Sequence, residues 1–182
     1  MARVLSNIND LALRGGELSK ILGEICRVRP AWQPRSRTGE LIIGLHSGSP
    51  PQSDYRSWRF PTFVPGIQAM YFELWRLTSK NEGCLDKAYL SLFRTSRQAD
   101  SEQELLALHC DPNEPDGADH AVYKQGPHLH MCASEIPGPH AHIALNRCHL
   151  VEVLRSRESF TNALHLALVM LKDEVLSPLR ES

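Results

Sequence analysis

The segment from Gly126 to Leu145 reads GPHLHMCASEIPGPHAHIAL and states the pattern GPH-x-H twice. Four imidazoles, those of His128, His130, His140 and His142, thus stand in two pairs of identical spacing. Neutral imidazole ligates zinc, copper, iron and nickel, and it is the side chain that titrates nearest neutrality. Two chemistries suit such a set. One is a divalent transition metal, zinc or similar, held by these histidines so that a bound water is activated. The other is metal-free: one imidazole as acid and one as base on a phosphodiester. Glu135 lies between the pairs, and Asp111, Asp116, Asp119 and His120 lie just before them. Any of these can supply a carboxylate or imidazole ligand or a general base.

The spacing also says what must carry the histidines. Ser134-Glu135-Ile136-Pro137-Gly138 has turn chemistry, and it separates two short alternating runs. Side chains two apart on a strand share a face. A hairpin centred near Glu135 would set His130 opposite His140 and His128 opposite His142, placing all four on one face. Leu129, Met131, Ala141, Ile143 and Leu145 would form the other, apolar face. A one-residue slip would bury the histidines, so the alternation fixes which face they take. The competing view is a solvated sheet face, with Pro127 and Pro139 as features of an edge strand. His46, His109, His149 and His165 are read as having no part in a site.

The rest of the chain supplies the scaffold. Phe160, Leu164, Ala167, Leu168, Leu171 and Val175 form one helical stripe, with Ser156 as N-cap and Pro178 as the stop. Ile8–Ile25 has helical spacing interrupted by Gly15-Gly16, which predicts a turn followed by a helix, or one weak helix. ELIIGL (40–45) reads as a strand, and ELLALHC (104–110) as a helix or a strand. IQAMYFELWRL (67–77) fits a helix by the spacing of Ile67, Met70, Tyr71 and Leu74, but its aromatics and the neighbouring KAYLSLFR (87–94) favour a hairpin across SKNEGCLD. Strands in a run with helices at both ends predict an α+β fold. In it an antiparallel sheet carries the N-terminal helix and the long C-terminal helix on one face. The 182 residues are read as one domain, with a basic part (1–60), a β-rich part holding the histidine hairpin (61–147) and a C-terminal helix (148–182).

The net charge is −1. Residues 1–60 hold nine Lys+Arg against five Asp+Glu, a balance of +4, which leaves −5 for the remainder. The basic excess is interleaved with aromatics: Arg35 and Arg37 near Trp32, and Arg56 and Arg59 around Trp58. Cations for phosphates and flat faces for bases are what a single nucleic-acid strand needs. The competing view is a loop whose aromatics tuck into the core, and a short basic stretch in a near-neutral chain favours it.

Five dispersed cysteines without a CxxC, and no apolar leader, predict reduced thiols and a cytoplasmic location. No apolar run has the length of a membrane span. His128, His130 and Glu135, with His142 and Asn146, resemble fragments of the two cupin metal motifs. Here the fragments overlap on one hairpin instead of occupying separate strand pairs, so the chain is not read as a cupin. No P-loop, GxGxxG, GxSxG or HExxH is present. The expected function is hydrolysis of a phosphodiester, in nucleic acid, by the histidine cluster. The alternative is a non-catalytic subunit or protein-interaction module, for example of a toxin–antitoxin or phage-defence system, with a partner protein docked on the histidine face.

Overall fold

A computed structural model describes residues 4–48, 54–78, 81–95, 102–112, 126–131, 141–144 and 150–181. The fold is α+β. Among the described residues nine strands form one antiparallel sheet, whose main path runs β2-β3-β5-β6-β7-β8-β9. The strands on this path are β2 (Ala31–Arg37), β3 (Glu40–His46), β5 (Ile67–Leu77), β6 (Glu82–Thr95), β7 (Glu102–Cys110), β8 (His128–Met131) and β9 (Ala141–Ala144). Two short strands lie off it: β1 (Leu5–Asn7) pairs with β6, and β4 (Phe60–Pro61) pairs with β5. The sequence had pointed to a loop where β2 lies. Its arginines and prolines mask a strand that folds back on β3 through Thr38-Gly39, with Gly39 at φ +74°. Pro34 is tolerated because β2 is the sheet's edge.

The β5–β6 hairpin forms as expected, but β6 starts at Glu82 and takes in much of the segment read as a turn. The remaining connection turns through Asn81, at φ 59°. Helix α1 (Ile8–Leu22) is unbroken by its two glycines, and the Asn7 side chain caps it by accepting from the Asp10 N–H at 2.8 Å. Gly15 is there for room. A Cβ at that position would come within 2.0 Å of Cε3 of Trp32, so the indole of β2 lies directly on the helix backbone.

At the C-terminus a short helix α2 (Leu150–Val153) precedes α3 (Arg157–Leu171), which Ser156 caps by accepting from the Ser159 N–H at 3.1 Å. Pro178 does not end the helical path. A π-helical segment, Lys172–Leu176, leads into α4 (Ser177–Glu181), and Pro178 sits in that helix's first turn, where no N–H is needed. The extra residue of the π turn advances the phase by one, so Leu176 is fully buried and Val175 only partly so.

Both long helices pack on one face of the sheet. That inner face carries the row Tyr71, Leu90, Leu108 and Leu129 across β5, β6, β7 and β8. Leu11, Leu18 and Leu22 of α1 and Phe160, Leu164, Leu168 and Leu171 of α3 complete the core. Within it Arg14 and Glu73, both fully buried, form an ion pair at 2.7 Å. Among the described residues no helix is long and apolar enough to cross a membrane.

Candidate metal centre

Strand alternation decides which side chains meet. Next to the inner row lies an outer row on the opposite face: Phe72, Tyr89, His109 and His128, each opposite the next across adjacent strands. One step along, Met70, Ser91, Ala107, His130 and His142 form a second outer row by register. His109, His128 and His130 are thereby neighbours on the face away from the helices. One ligand nitrogen from each lies within 4.8 Å of the others. Ring centroids are 4.4 Å apart for His109–His130, 5.1 Å for His128–His130 and 5.7 Å for His109–His128.

His128 is buried, and its Nδ1 lies 2.9 Å from the Gly126 carbonyl oxygen. A carbonyl oxygen only accepts, so Nδ1 carries the proton. In the neutral ring Nε2 then holds the lone pair, the state a metal ligand requires. His109 is held from its other side. The Tyr89 ring stacks on it at 3.9 Å and 13°, and the Tyr89 hydroxyl donates to Asp111 at 2.7 Å. Lys87 Nζ lies 3.8 Å from the same carboxylate. Cys110, adjacent to His109 in the chain, faces the core. Burial pushes its thiol well above the ordinary range, with the charges of Asp111 and Glu73 adding to the effect.

Three imidazoles within reach of one point match the donor set of a catalytic zinc site, which leaves a position for water. The histidine face has the predicted parity, with one correction of register. β8 and β9 pair His130 with His142 and His128 with Ala144, not His130 with His140 and His128 with His142. A shift of two residues leaves every side chain on its own face, so the hydrophobic pattern cannot distinguish the two registers. His140 and Glu135 lie outside the described residues, and His142 is placed by its backbone alone. His109, read from sequence as having no part in a site, is the third member of the cluster. Its signal was the alternation Leu106-Ala107-Leu108-His109-Cys110, which puts histidine on the polar phase, but only the pairing of β7 with β8 brings it to the others.

Of the basic-aromatic residues, Trp32 is separated from the others. Trp32 faces α1 on the inner side. Trp58 is buried on the outer side against Gly44, with the Arg35 guanidinium 5.1 Å from its ring. The two indoles therefore share no surface. Arg59 lies over Phe93 at 4.0 Å and pairs with Glu102 at 2.9 Å. Arg56 lines an outer-face groove, and Arg37 stands opposite Glu40 in the β2–β3 register. Compared with known proteins, the chain matches no family model, no curated sequence and no solved structure.

Proposed function

We propose that this protein is a metal-dependent hydrolase of a phosphodiester bond in nucleic acid, with a divalent transition metal, zinc or similar, held by His109, His128 and His130. The observation that carries this reading is the convergence of three imidazoles from two strands on one point of the outer face. A bound ion of this kind supplies a nucleophilic water near neutral pH and polarises a phosphoryl oxygen. The protein's own part is to hold the imidazoles in place. The Gly126 carbonyl sets the tautomer of His128, and the Tyr89–Asp111 pair backs His109. Asp111, Glu135, His140 and His142 are candidates for a further ligand or a general base.

The direct test is metal content by mass spectrometry after purification without chelator, for wild type and for His109→Ala, His128→Ala and His130→Ala. One equivalent in wild type, lost in each variant but retained in His165→Ala on the exposed side of α3, is the expected result. Phosphodiesterase activity on a single strand should fall with the metal, and both should fall in acid, since each imidazole must be neutral to ligate. A metal-free wild type with chelator-resistant activity would move the chemistry to an imidazole acid–base pair. A metal-free, inactive protein would make the cluster a docking face, the non-catalytic alternative.

A further inference from the structure

The three histidines occupy three corners of a four-position patch. On the outer face β7 contributes Ala107 and His109, and β8 sets His130 and His128 opposite them. Neighbouring corners are about 4.8 Å apart across the strands and about 6.8 Å apart along them. His109 and His130 take one diagonal. By these spacings their backbones are on the order of 8 Å apart, yet their ring centroids are 4.4 Å apart, so the two rings converge. His128 takes one end of the other diagonal, and Ala107 takes the other end. Three corners therefore carry imidazole, and the fourth carries a methyl group.

The neighbours of the fourth corner do not supply what it lacks. Among the described residues, no other His, Cys, Asp or Glu brings a ligand atom within 4.8 Å of the three nitrogens. Ser91, opposite Ala107 on β6, offers a neutral hydroxyl, which is a poor donor beside imidazole. Asp111 lies two residues past His109, on the side away from Ala107, and accepts from the Tyr89 hydroxyl. His142 stands opposite His130 on β9, so by register it too lies away from Ala107. An imidazole at this corner would start from the same sheet surface and have the same length as the other three. It would complete a set of four protein ligands, the closed shell of a structural zinc site. Alanine leaves three, the set of a catalytic one. Ala107 is 1 % exposed, so its methyl lies at the bottom of the patch, beneath the level of the larger side chains around it. His109 and His130 are only partly buried, so solution reaches the cluster at the level of the rings.

We propose that Ala107 keeps the coordination shell of the metal open, so that the centre takes a small ligand from solution: water, hydroxide or a small anion. This rests on the metal reading of the three histidines and not on the phosphodiester substrate.

The test uses cobalt(II) as the metal, because its visible bands report the ligands around it, and azide as the small anion. Wild type should bind cobalt, and azide should shift the bands saturably. Ala107→His should also bind cobalt, but the response to azide should be lost. His109→Ala should lose cobalt, and Ala107→His combined with His109→Ala should regain both cobalt and the azide response. The double variant again has three imidazoles and keeps the bulk of the patch, so it serves if the single variant does not fold. A wild type that binds no cobalt would sink the metal reading and this inference with it. Cobalt binding without an azide response would spare the metal reading and overturn the open shell. Return of the response in His142→Ala or Asp111→Asn would then name the side chain that closes it. An azide response in folded Ala107→His, or no cobalt in the folded double variant, would overturn the role of Ala107. Failure of both variants to fold, judged by circular dichroism, would do the same, since the corner would then have no room for a ring.

Discussion

Glu73 is the residue on which the helical side of the molecule converges, and replacing it by glutamine tests the packing. Its carboxylate, fully buried, accepts from Arg14 Nε at 3.0 Å, Arg14 Nη2 at 2.7 Å, the Tyr71 hydroxyl at 2.8 Å and Trp75 Nε1 at 2.9 Å. Arg14 is equally buried, and its Nη1 donates to Thr161 of α3 at 2.6 Å. One ion pair therefore joins α1, β5 and α3. Burial, the largest single influence, lowers the pKa of Arg14, but the charge and hydrogen bonds of Glu73 together with Tyr71 and Glu17 outweigh it and raise the guanidinium above its ordinary value. Glu73→Gln keeps the shape and removes the counter-charge. Losing one partner of a buried pair costs about 3–5 kcal/mol. Glu17, which also pairs with Arg14 at 2.6 Å but is partly exposed, offsets some of this, so the lower end, about 3 kcal/mol, is expected. With a urea slope of about 2 kcal/mol per molar, the unfolding midpoint should fall by about 1.5 M. Arg14→Met combined with Glu73→Gln should recover more than half of the loss, because the stranded charge is gone. A midpoint within about 0.3 M of wild type for Glu73→Gln, or a double variant as unstable as the sum of the singles, would refute the reasoning.

Alkaline stability follows from two buried groups, Tyr71 and Cys110, and the half-buried Cys26. Burial raises the pKa of Tyr71 and Cys110 well above their ordinary values and pushes Cys26 up to about 12. Groups with a raised folded pKa stabilise the fold below their unfolded values, about 8.5 for a thiol and 10 for tyrosine, and lose that contribution as pH climbs towards the folded values. The urea midpoint should therefore decline from about pH 8.5 towards pH 12, and Tyr71→Phe should decline less steeply above pH 10; a flat profile would contradict the burial of these groups. Tyr89→Phe keeps the ring on His109 but removes the hydroxyl bond to Asp111, and should weaken metal binding about tenfold in a chelator competition, with Tyr89→Ala weaker still. Equal affinities for wild type and both variants would detach Tyr89 from the site.

The elements that were legible in sequence are those whose pattern is local. The α3 stripe, the β5–β6 hairpin and the parity of the histidine hairpin each follow from periodicity within one stretch of chain. What was not legible depends on partners distant in sequence. β2 reads as a basic loop because its strand character comes from pairing with β3. Gly15 leaves a broken and an unbroken helix equally readable because the indole it accommodates belongs to another element. The π turn that carries the helical path past Pro178 has no periodic signature. His109 joins the cluster only when β7 lies beside β8, and the two-residue change of register in β8–β9 conserves the one feature, alternation, that sequence could supply. Arg14 and Glu73 are ordinary charged residues until α1 docks on β5.

An open sheet has two edges, and the one at β2 is a hazard of a different kind from any site. A strand with bare amides invites a second chain to add on and extend the ladder. On β2 the ring of Pro34 removes one of those amides. The proline that helped to hide this strand from sequence reading thus also withholds a hydrogen bond from any chain that would add at this edge.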